Sequence, residues 1–429
     1  MKPGAPPPNP AAPSPQPSFT PPGLSYPLAS TFRALRHRNF RLWFFGQLTS
    51  LVGTWMQSIA QNWLVYQITG SAASLGVVNF VGAIPLVPLT LYAGSIADRV
   101  SKRRVIFLTQ AAMMALAFIL AVLCWTGVVR YWHVLVLAFL LGAAQALDTP
   151  ARQAFVVELV GKEDLSNAIA LNSGIFHGAR VVGPALAGIL VASVGMSLAF
   201  FLNGASFFAV LAGLYLMDAR LIRRTRAEGA DAKDLLGGLR HLAANRVPTA
   251  VVVLISLSSL LAMPYYVLVP VFAKEVLGRD AGAYGALMSA AGVGAVLGSL
   301  YAASARASRG KGALLTAGSF SFPVLLLGFA LSRSYPLSLA LLGAVGFAFV
   351  LQNAPANSLI QSLVPDNLRG RVMAIYVCLL LGLMRVGGLL AGLLAQALSA
   401  PVALAALSAA ALAGAVAVAT RFPELRRAD

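Results

Sequence analysis

The sequence predicts an all-α protein embedded in a lipid membrane. Of its 429 residues 58% are hydrophobic and only 11% are charged, whereas a soluble domain carries about a quarter charged residues. The apolar residues form runs of about 20, the length that crosses a bilayer as a helix. The formal net charge is +18, but the basic residues gather between the apolar runs. That distribution is typical of membrane topology and does not indicate a nucleic-acid surface.

Twelve apolar segments predict twelve membrane-spanning helices. They lie at roughly 42–66, 74–97, 104–127, 132–152, 165–193, 196–217, 248–273, 281–305, 312–331, 335–358, 370–397 and 401–420. Because backbone polar groups in hydrocarbon must be satisfied within each segment, each one is predicted to be helical. The strands of about ten alternating residues that build an outer-membrane barrel are not found.

The positions of lysine and arginine predict the orientation of the chain. When the segments between spans are taken alternately, one set holds 26 of these residues and the other holds four. Basic loops stay in the cytoplasm. The asymmetry therefore predicts an even number of spans with both termini cytoplasmic, and a location in the inner membrane.

The chain is predicted to have five parts. Residues 1–30 contain eleven prolines and should form a disordered cytoplasmic tail, either a ligand for an aromatic groove or a spacer. An N-terminal six-helix bundle is expected over 31–217 and a C-terminal one over 248–420. Between them, 218–247 forms a cytoplasmic linker with an amphipathic helix, and 421–429 form a second cytoplasmic tail.

The two halves resemble each other at an offset of 204 residues. Gly178 and Gly183 recur as Gly382 and Gly387, and similar pairs occur in two other regions. Any one match between small residues is weak, but the shared offset is informative. It predicts two pseudo-symmetric six-helix bundles around a central cavity, an architecture in which transporters rock one half against the other.

A loop after the second span carries the most specific motif. It begins at Gly94, continues with Asp98 and Arg99, and ends in a basic cluster with Lys102 and Arg103. From about residue 30 to 420 the chain resembles the major facilitator superfamily, whose corresponding loop has this pattern. The fold expected from the resemblance is twelve transmembrane helices in two six-helix bundles.

A second motif lies in the fifth span. Gly183, Pro184 and Gly188 resemble the Gly-Pro-x-x-Gly-Gly motif of exporters. The match is partial, because Ala187 occupies the fifth position of the motif, where the family has glycine. Together with the basic segment before span one, this motif resembles the branch that contains enterobactin exporters and macrolide efflux proteins.

The resemblance implies a gating role for the loop motif. Asp98 would face the start of span eleven, where a helix N-terminus favours negative charge, and Lys102 would pair with Asp148 at the end of span four. These contacts would join the halves in the outward-facing state only. The alternative is a solvated basic loop that serves topology alone.

Polar residues on the first span form a candidate cavity lining. Gln47, Ser50, Thr54, Gln57 and Gln61 share one helical face, and the resemblance implies that spans one, four, seven and ten line the cavity. Asn353 and Asn357 in span ten are weaker candidates. The alternative for the face on span one is hydrogen bonding between helices.

Only Arg180 and Arg385 lie deep within spans. A guanidinium at that depth is costly unless it meets an anion, carbonyl groups or water. These two residues therefore predict a cavity that attracts anionic or carbonyl-rich substrates, or else structural hydrogen bonds. His177 shares a face with Arg180 and is a candidate proton carrier or a structural histidine.

No carboxylate lies near the midpoint of a predicted span, although the chain has 14. Proton coupling therefore rests on the resemblance, with Asp148 or His177 as the carrier. No ATP-binding motif, metal-ligand cluster or cofactor motif is found. Cys124 and Cys378 lie in apolar segments, which disfavours a disulfide.

The expected function is secondary active transport. The predicted protein is a monomer in the lipid bilayer that exports a siderophore-like, drug-like or amphipathic small molecule by proton antiport. An importer or a lysophospholipid flippase on the same fold is the alternative. An intramembrane enzyme is disfavoured because paired catalytic groups are missing from the spans, and a non-transporting scaffold would not need the polar face.

Overall fold

The computed structural model describes residues 32–86, 89, 101–161, 163–222, 235–305 and 310–428. Within these ranges the chain is helical and has no strand. The predicted proline-rich tail and three residues of the loop motif, Gly94, Asp98 and Arg99, lie outside the described residues.

A helix occupies each of the twelve predicted spans. Their bounds are α1 Arg38–Thr69, α2 Ala72–Val81, α3 Lys102–Trp125, α4 Tyr131–Val160, α5 Leu165–Ser193, α6 Met196–Leu216, α7 Arg246–Val276, α8 Ala281–Ala305, α9 Lys311–Leu331, α10 Tyr335–Leu363, α11 Asp366–Ala397 and α12 Ala400–Arg421. Helix α7 consists of Arg246–Leu261, Tyr265–Val271 and a π-helical turn at Phe272–Val276. A linker helix lies at Leu235–Ala244, and short 3₁₀ turns lie at Arg33–Arg36, Ala219–Leu221 and Pro423–Arg427.

Ten of the helices in the described ranges are long and apolar enough to cross a membrane. Helix α1 is not among them because its polar face lowers its hydropathy, and α2 is described over only ten residues. The predicted class, an all-α membrane fold of the two-bundle type, is confirmed.

Local sequence explains where the first two helices meet. Gly70 has a φ of 58° and ends α1 by donating its N–H to the carbonyl of Tyr66. Glycine adopts this left-handed conformation without the steric cost of a Cβ atom. The hydroxyl of Ser71 then accepts the N–H of Ser74 and caps α2. The turn between two antiparallel spans therefore needs only two residues.

The helix ends define two faces of the molecule. We call the face that carries the start of α1 and the end of α12 the basic face, and the opposite one the distal face. On the basic face Arg33 lies 2.8 Å from Asp164, and Arg246 lies 3.0 Å from Glu424. Short segments outside the spans are thus tied to helix ends by ion pairs.

The two halves pack against each other through α5 on α8 at the distal side. A Cβ atom on Gly285 would lie 2.5 Å from the carbonyl oxygen of Pro184 and 2.7 Å from the Cα of Gly188. Glycine is therefore required on α8 for the backbones to come this close. The same contact continues toward the middle of the helices, where Gly292 faces Arg180.

Helices α2 and α11 form the matching contact between the halves. A Cβ on Gly76 would lie 2.7 Å from the carbonyl oxygen of Gly388, and one on Gly392 would lie 2.6 Å from that of Ala72. Both inter-half contacts involve the distal parts of their helices. The pseudo-symmetry expected from the sequence repeat is visible in this pairing.

Toward the basic face the same helices have free space beside them. Cβ atoms added to Gly174, Gly178 or Gly382 would meet no described atom within 4 Å. The described residues therefore show no close helix packing at Gly174 or Gly178. Within the described residues, the close glycine contacts between the halves through α5 and α11 therefore lie at the distal side.

Candidate functional site

Arg180 of α5 lies between the two halves and contacts both. Its guanidinium carbon is 5.8 Å from the ring centre of Trp55 on α1 and 5.4 Å from that of Phe349 on α10. Trp55 belongs to the N-terminal half and Phe349 to the C-terminal half. Aromatic faces attract a cation through the negative potential of their π electrons, which partly offsets the loss of water around this group.

Arg385 of α11 makes the reciprocal contact. Its Nη1 donates to Oδ1 of Asn79 on α2 at 3.4 Å, and Nδ2 of Asn79 donates to Oδ1 of Asn62 on α1 at 3.3 Å. Each half thus places one arginine against the other half. Both lie where the inter-half helix contact ends and the free space begins.

Neither guanidinium has a carboxylate within 4 Å in the described part of the chain. Two further polar atoms nearby are buried without a hydrogen-bond partner, namely Nδ1 of His177 and the hydroxyl of Tyr266. His177 precedes Arg180 by one helical turn. Gly388 follows Arg385 by about one helical turn, and a Cβ atom on Gly388 would lie 3.9 Å from the hydroxyl of Tyr266. We refer to Arg180, Arg385, His177 and Tyr266 together as the arginine site.

The polar face of α1 bonds partly within its own half. Gln47 is buried and accepts a hydrogen bond from Nη1 of Arg152 at 2.9 Å. Gln57 is also buried and accepts one from Asn203 of α6. These two contacts match the alternative of bonding between helices.

Within the described part of the chain, the side chains of the other predicted lining residues of α1 and α10 have no hydrogen bond to a neighbouring helix. Ser50 is buried and its carbonyl accepts the hydroxyl of Thr54, while Thr54 and Gln61 are half-buried. On α10, Asn353 donates to its own helix at Phe349 and Asn357 accepts from Gln361. Cavity lining by these residues stays a prediction.

Asp148 is the centre of a buried polar network on α4. Its carboxylate accepts the hydroxyl of Thr109 at 2.7 Å and the amide of Gln110 at 3.2 Å, both from α3. Nε of Arg152 lies 2.7 Å from its second oxygen. Arg152 also donates to Gln47, so the network joins α3, α4 and α1 near the basic face.

The pairing of Lys102 with Asp148, expected for the outward-facing state, stays a prediction, and a different pair is present in this structure. Lys102 lies 2.6 Å from Glu158 instead. Helices α3 and α4 are antiparallel, and Lys102 is the first residue of α3, level with the last turns of α4. Asp148 lies ten residues before Glu158, about 15 Å along the helix. Arg103 points elsewhere and donates to the carbonyl of Tyr215 at 3.4 Å.

The exporter-like motif of α5 lies at two helix contacts. A Cβ on Gly183 would lie 2.5 Å from the Cβ of Trp55 on α1, and one on Gly188 would lie 3.0 Å from the carbonyl oxygen of Gly282 on α8. Pro184 is buried between them and faces Gly285. The motif thus places backbone against backbone on both sides of α5.

A contact that the sequence did not reveal joins the halves at the distal face. The hydroxyl of Tyr66 on α1 donates to the carboxylate of Glu275, and the ammonium of Lys274 lies 5.4 Å from the Tyr66 ring centre. Glu275 and Lys274 belong to the π-helical turn of α7. We call this contact the distal latch.

The internal repeat could have identified one missed residue. Gln352 of α10 is buried, accepts the hydroxyl of Ser258 at 2.8 Å and donates to Ser319 at 3.2 Å. It lies at the offset of 204 from Asp148, so each half has a buried polar hub on its fourth helix. The described residues contain no cluster of acidic, histidine or cysteine side chains that could hold a metal.

The fold and the reciprocal contacts between the halves define a membrane transporter of the two-bundle type. A sequence profile of the transmembrane secretion effector family matches residues 29–429. The chain belongs to this family of major facilitator transporters, and such proteins are not enzymes.

Three curated relatives cover most of the chain. The multidrug efflux pump Tap of Mycolicibacterium fortuitum is 29% identical over 90% of this chain and 96% of its own. The staphyloferrin A transporter of Staphylococcus aureus is 25% identical over 83% and 89%. The enterobactin exporter EntS of Shigella boydii is 27% identical over 79% and 81%.

Solved structures share the fold at low identity. A mutant form of the nucleoside transporter NupG superposes with a TM-score of 0.71 at 12% identity and covers 91% of this chain and 99% of its own. A bacterial homologue of the human lysosomal transporter Spinster gives a TM-score of 0.67 at 14% identity over 92% and 97%. These likenesses concern the fold alone.

Proposed function

We propose that this protein is an exporter of the inner membrane that works by alternating access. Its substrate is a siderophore-like, drug-like or amphipathic small molecule, and the exchanged ion is a proton. The relatives named for multidrug efflux, staphyloferrin A transport and enterobactin export support this range of substrates. Both termini are cytoplasmic, and the protein acts as a monomer.

The observation that carries the proposal is the one-sided contact between the halves. Helix α5 packs on α8, and α2 on α11, through glycines in their distal parts, while Cβ atoms on Gly174 and Gly382, toward the basic face, would meet no described atom within 4 Å. If the basic face is cytoplasmic, as its arginines and lysines favour, this arrangement corresponds to an inward-open state. Rocking the halves would open the distal side in turn.

Asp148 is the proposed carrier of the coupling proton. Its carboxylate is buried and paired with Arg152, which also binds Gln47 of α1. Protonation of Asp148 would weaken its ion pair with Arg152. The Arg152 guanidinium would then keep only its hydrogen bond to Gln47 of α1. A change in the bonding between α4 and α1 would then accompany each proton.

Export is tested in two stages. A deletion strain and the complemented strain are compared for survival on a drug panel and under iron limitation, which identifies a transported compound. Uptake of that compound is then measured in inside-out and right-side-out vesicles with an imposed pH gradient. We expect uptake into inside-out vesicles with an acidic interior, abolished when the gradient is collapsed.

The direction of uptake separates the proposal from its alternatives. Uptake into right-side-out vesicles alone would contradict export and indicate an importer, and transfer of lysophospholipid alone would indicate a flippase. For the coupling step, Asp148→Asn should remove the dependence on the pH gradient. Asp366→Asn is the matched control, because that carboxylate pairs with Arg369 at an exposed helix start.

A further inference from the structure

We propose that the arginine site binds an organic anion with a flat, conjugated portion, and that such anions are the transported class. This inference rests on the proposed function, because it concerns the same space between the halves. It assigns the charge and shape of the substrate, which neither the fold nor the names of the relatives give.

The positive charge of the arginine site favours an anionic ligand. Arg180 and Arg385 lie deep within spans, where a guanidinium without an anion is costly. Neither has a carboxylate within 4 Å in the described ranges. Their present partners are two aromatic faces and one neutral amide. Two positive charges with no carboxylate partner in the described ranges create a potential that concentrates anions.

The two arginines lie at corresponding places on the contacts between the halves. On α5 the contact with α8 runs from Gly188 to Arg180, and on α11 the contact with α2 runs from Gly392 to Arg385. Beyond these arginines, toward the basic face, Cβ atoms on Gly174 and Gly382 would meet no described atom within 4 Å. Both guanidinium groups therefore lie at the end of a described contact between the halves, on the side toward the basic face.

The surrounding groups indicate the shape of the ligand. Trp55 and Phe349 flank Arg180 from opposite halves, and such faces stack on flat conjugated groups. Nδ1 of His177 and the hydroxyl of Tyr266 are buried without partners. Buried polar groups normally have a hydrogen-bond partner, and oxygen atoms on a ligand would supply one. An anion with an aromatic or conjugated part would offer a suitable partner to each of these groups.

The test compares two dyes of the same scaffold and opposite charge. Fluorescein in mildly alkaline buffer is a dianion, and rhodamine 123 has the same tricyclic core with a positive charge and an esterified carboxyl group. Binding of each dye to the full-length protein in lipid nanodiscs is measured by fluorescence anisotropy. We expect fluorescein to bind and rhodamine 123 to bind at least about tenfold more weakly, a difference of one charge-assisted hydrogen bond or more.

Substitutions locate the anion. Arg180→Gln and Arg385→Gln should each weaken fluorescein binding by about tenfold or more. Arg180→Lys, which keeps the charge but loses the planar group between the two rings, should lie between the wild type and Arg180→Gln. Arg333→Gln removes an exposed arginine of the distal face and should leave binding unchanged. Size-exclusion profiles confirm that each variant is folded.

Two results would overturn the inference. Equal binding of both dyes to the wild type would show that charge is not selected. Fluorescein binding that is unchanged in both glutamine variants would place the anion elsewhere. Because anisotropy needs no transport, these failures are distinct from failure of the proposed function: vesicle uptake could persist without anion selection, and anion binding could persist without export.

Discussion

Gly285 offers the sharpest test of the closed distal contact. In Gly285→Ala the new methyl group would lie 2.5 Å from the carbonyl oxygen of Pro184 and 2.8 Å from the backbone nitrogen of Gly188. Both are backbone atoms and cannot rotate away. Overpacking of a close contact costs about 1–3 kcal/mol. This cost arises only while α5 and α8 are packed, so it shifts the equilibrium toward the distal-open state by a factor of about 5 to 150.

Two further glycines make the experiment a graded series. A Cβ on Gly188 would lie 3.0 Å from its nearest neighbour, and one on Gly174 would meet nothing within 4 Å. Each change from glycine to alanine also stabilises a helix by up to about 1 kcal/mol in either state, so Gly174→Ala corrects for this effect. We expect the order Gly285→Ala, then Gly188→Ala, then Gly174→Ala, with the last like the wild type.

The assay is a distance measurement across the distal face. Spin labels are placed on exposed Ser193 of the N-terminal half and exposed Ser334 of the C-terminal half, after both native cysteines have been replaced. Double electron–electron resonance then gives the distance distribution in nanodiscs. A longer distance should gain population in Gly285→Ala. If its distribution equals that of Gly174→Ala, the glycine contact does not hold the halves together.

Three further outcomes follow from single contacts. Asp148→Asn should lower the thermal unfolding midpoint in detergent by the equivalent of about 1–3 kcal/mol, since a buried acceptor loses its charge; a midpoint equal to the wild type would contradict its role as a hub. Tyr66→Phe removes the bond to Glu275 in the distal latch and should increase the long spin-label distance by a smaller factor than Gly285→Ala. The pKa of the Asp164 carboxyl on the basic face is lowered, chiefly by the hydrogen bond from His37. Burial raises this pKa, but Arg33 and Arg36 lower it further. Because the pKa of Asp164 is lower in the folded state, its ionised form stabilises the fold fully at pH values above the unfolded-state pKa of 3.8. This contribution is lost as the pH falls through the folded-state pKa. Unfolding midpoints across acidic pH should show this loss in the wild type and not in Asp164→Asn.

The helical framework could be predicted closely from the sequence. A run of apolar residues must form a helix in lipid, and short polar turns such as the one at Gly70 end each run. Every predicted span therefore coincides with a helix in the described ranges. Arg180 and Arg385 were also evident, because a charged residue within an apolar run is costly in lipid and therefore unusual.

The partners of the site residues could not be predicted, because spacing along one helix does not reveal its neighbours. In this structure Lys102 pairs with Glu158, because the first turn of α3 lies level with the last turns of α4. Gln57 bonds to Asn203 because α6, and not open space, lies beside that part of α1. Both outcomes depend on tertiary packing, for which a single sequence holds only indirect signals such as the repeat offset.

The pseudo-symmetry of the halves is imperfect at the arginine site, and this has a mechanistic consequence. The offset of 204 relates Arg180 to the position before Arg385, so the two guanidinium groups have different surroundings, aromatic for one and amide for the other. Both contacts nevertheless cross from one half to the other. An anion that takes over either guanidinium replaces a bond that helps to hold the halves together on the distal side. Its affinity must then differ between the two states, and such a difference is what allows a ligand to shift a conformational equilibrium. The same arginines would thus recognise the substrate and release the contact that keeps the distal side closed.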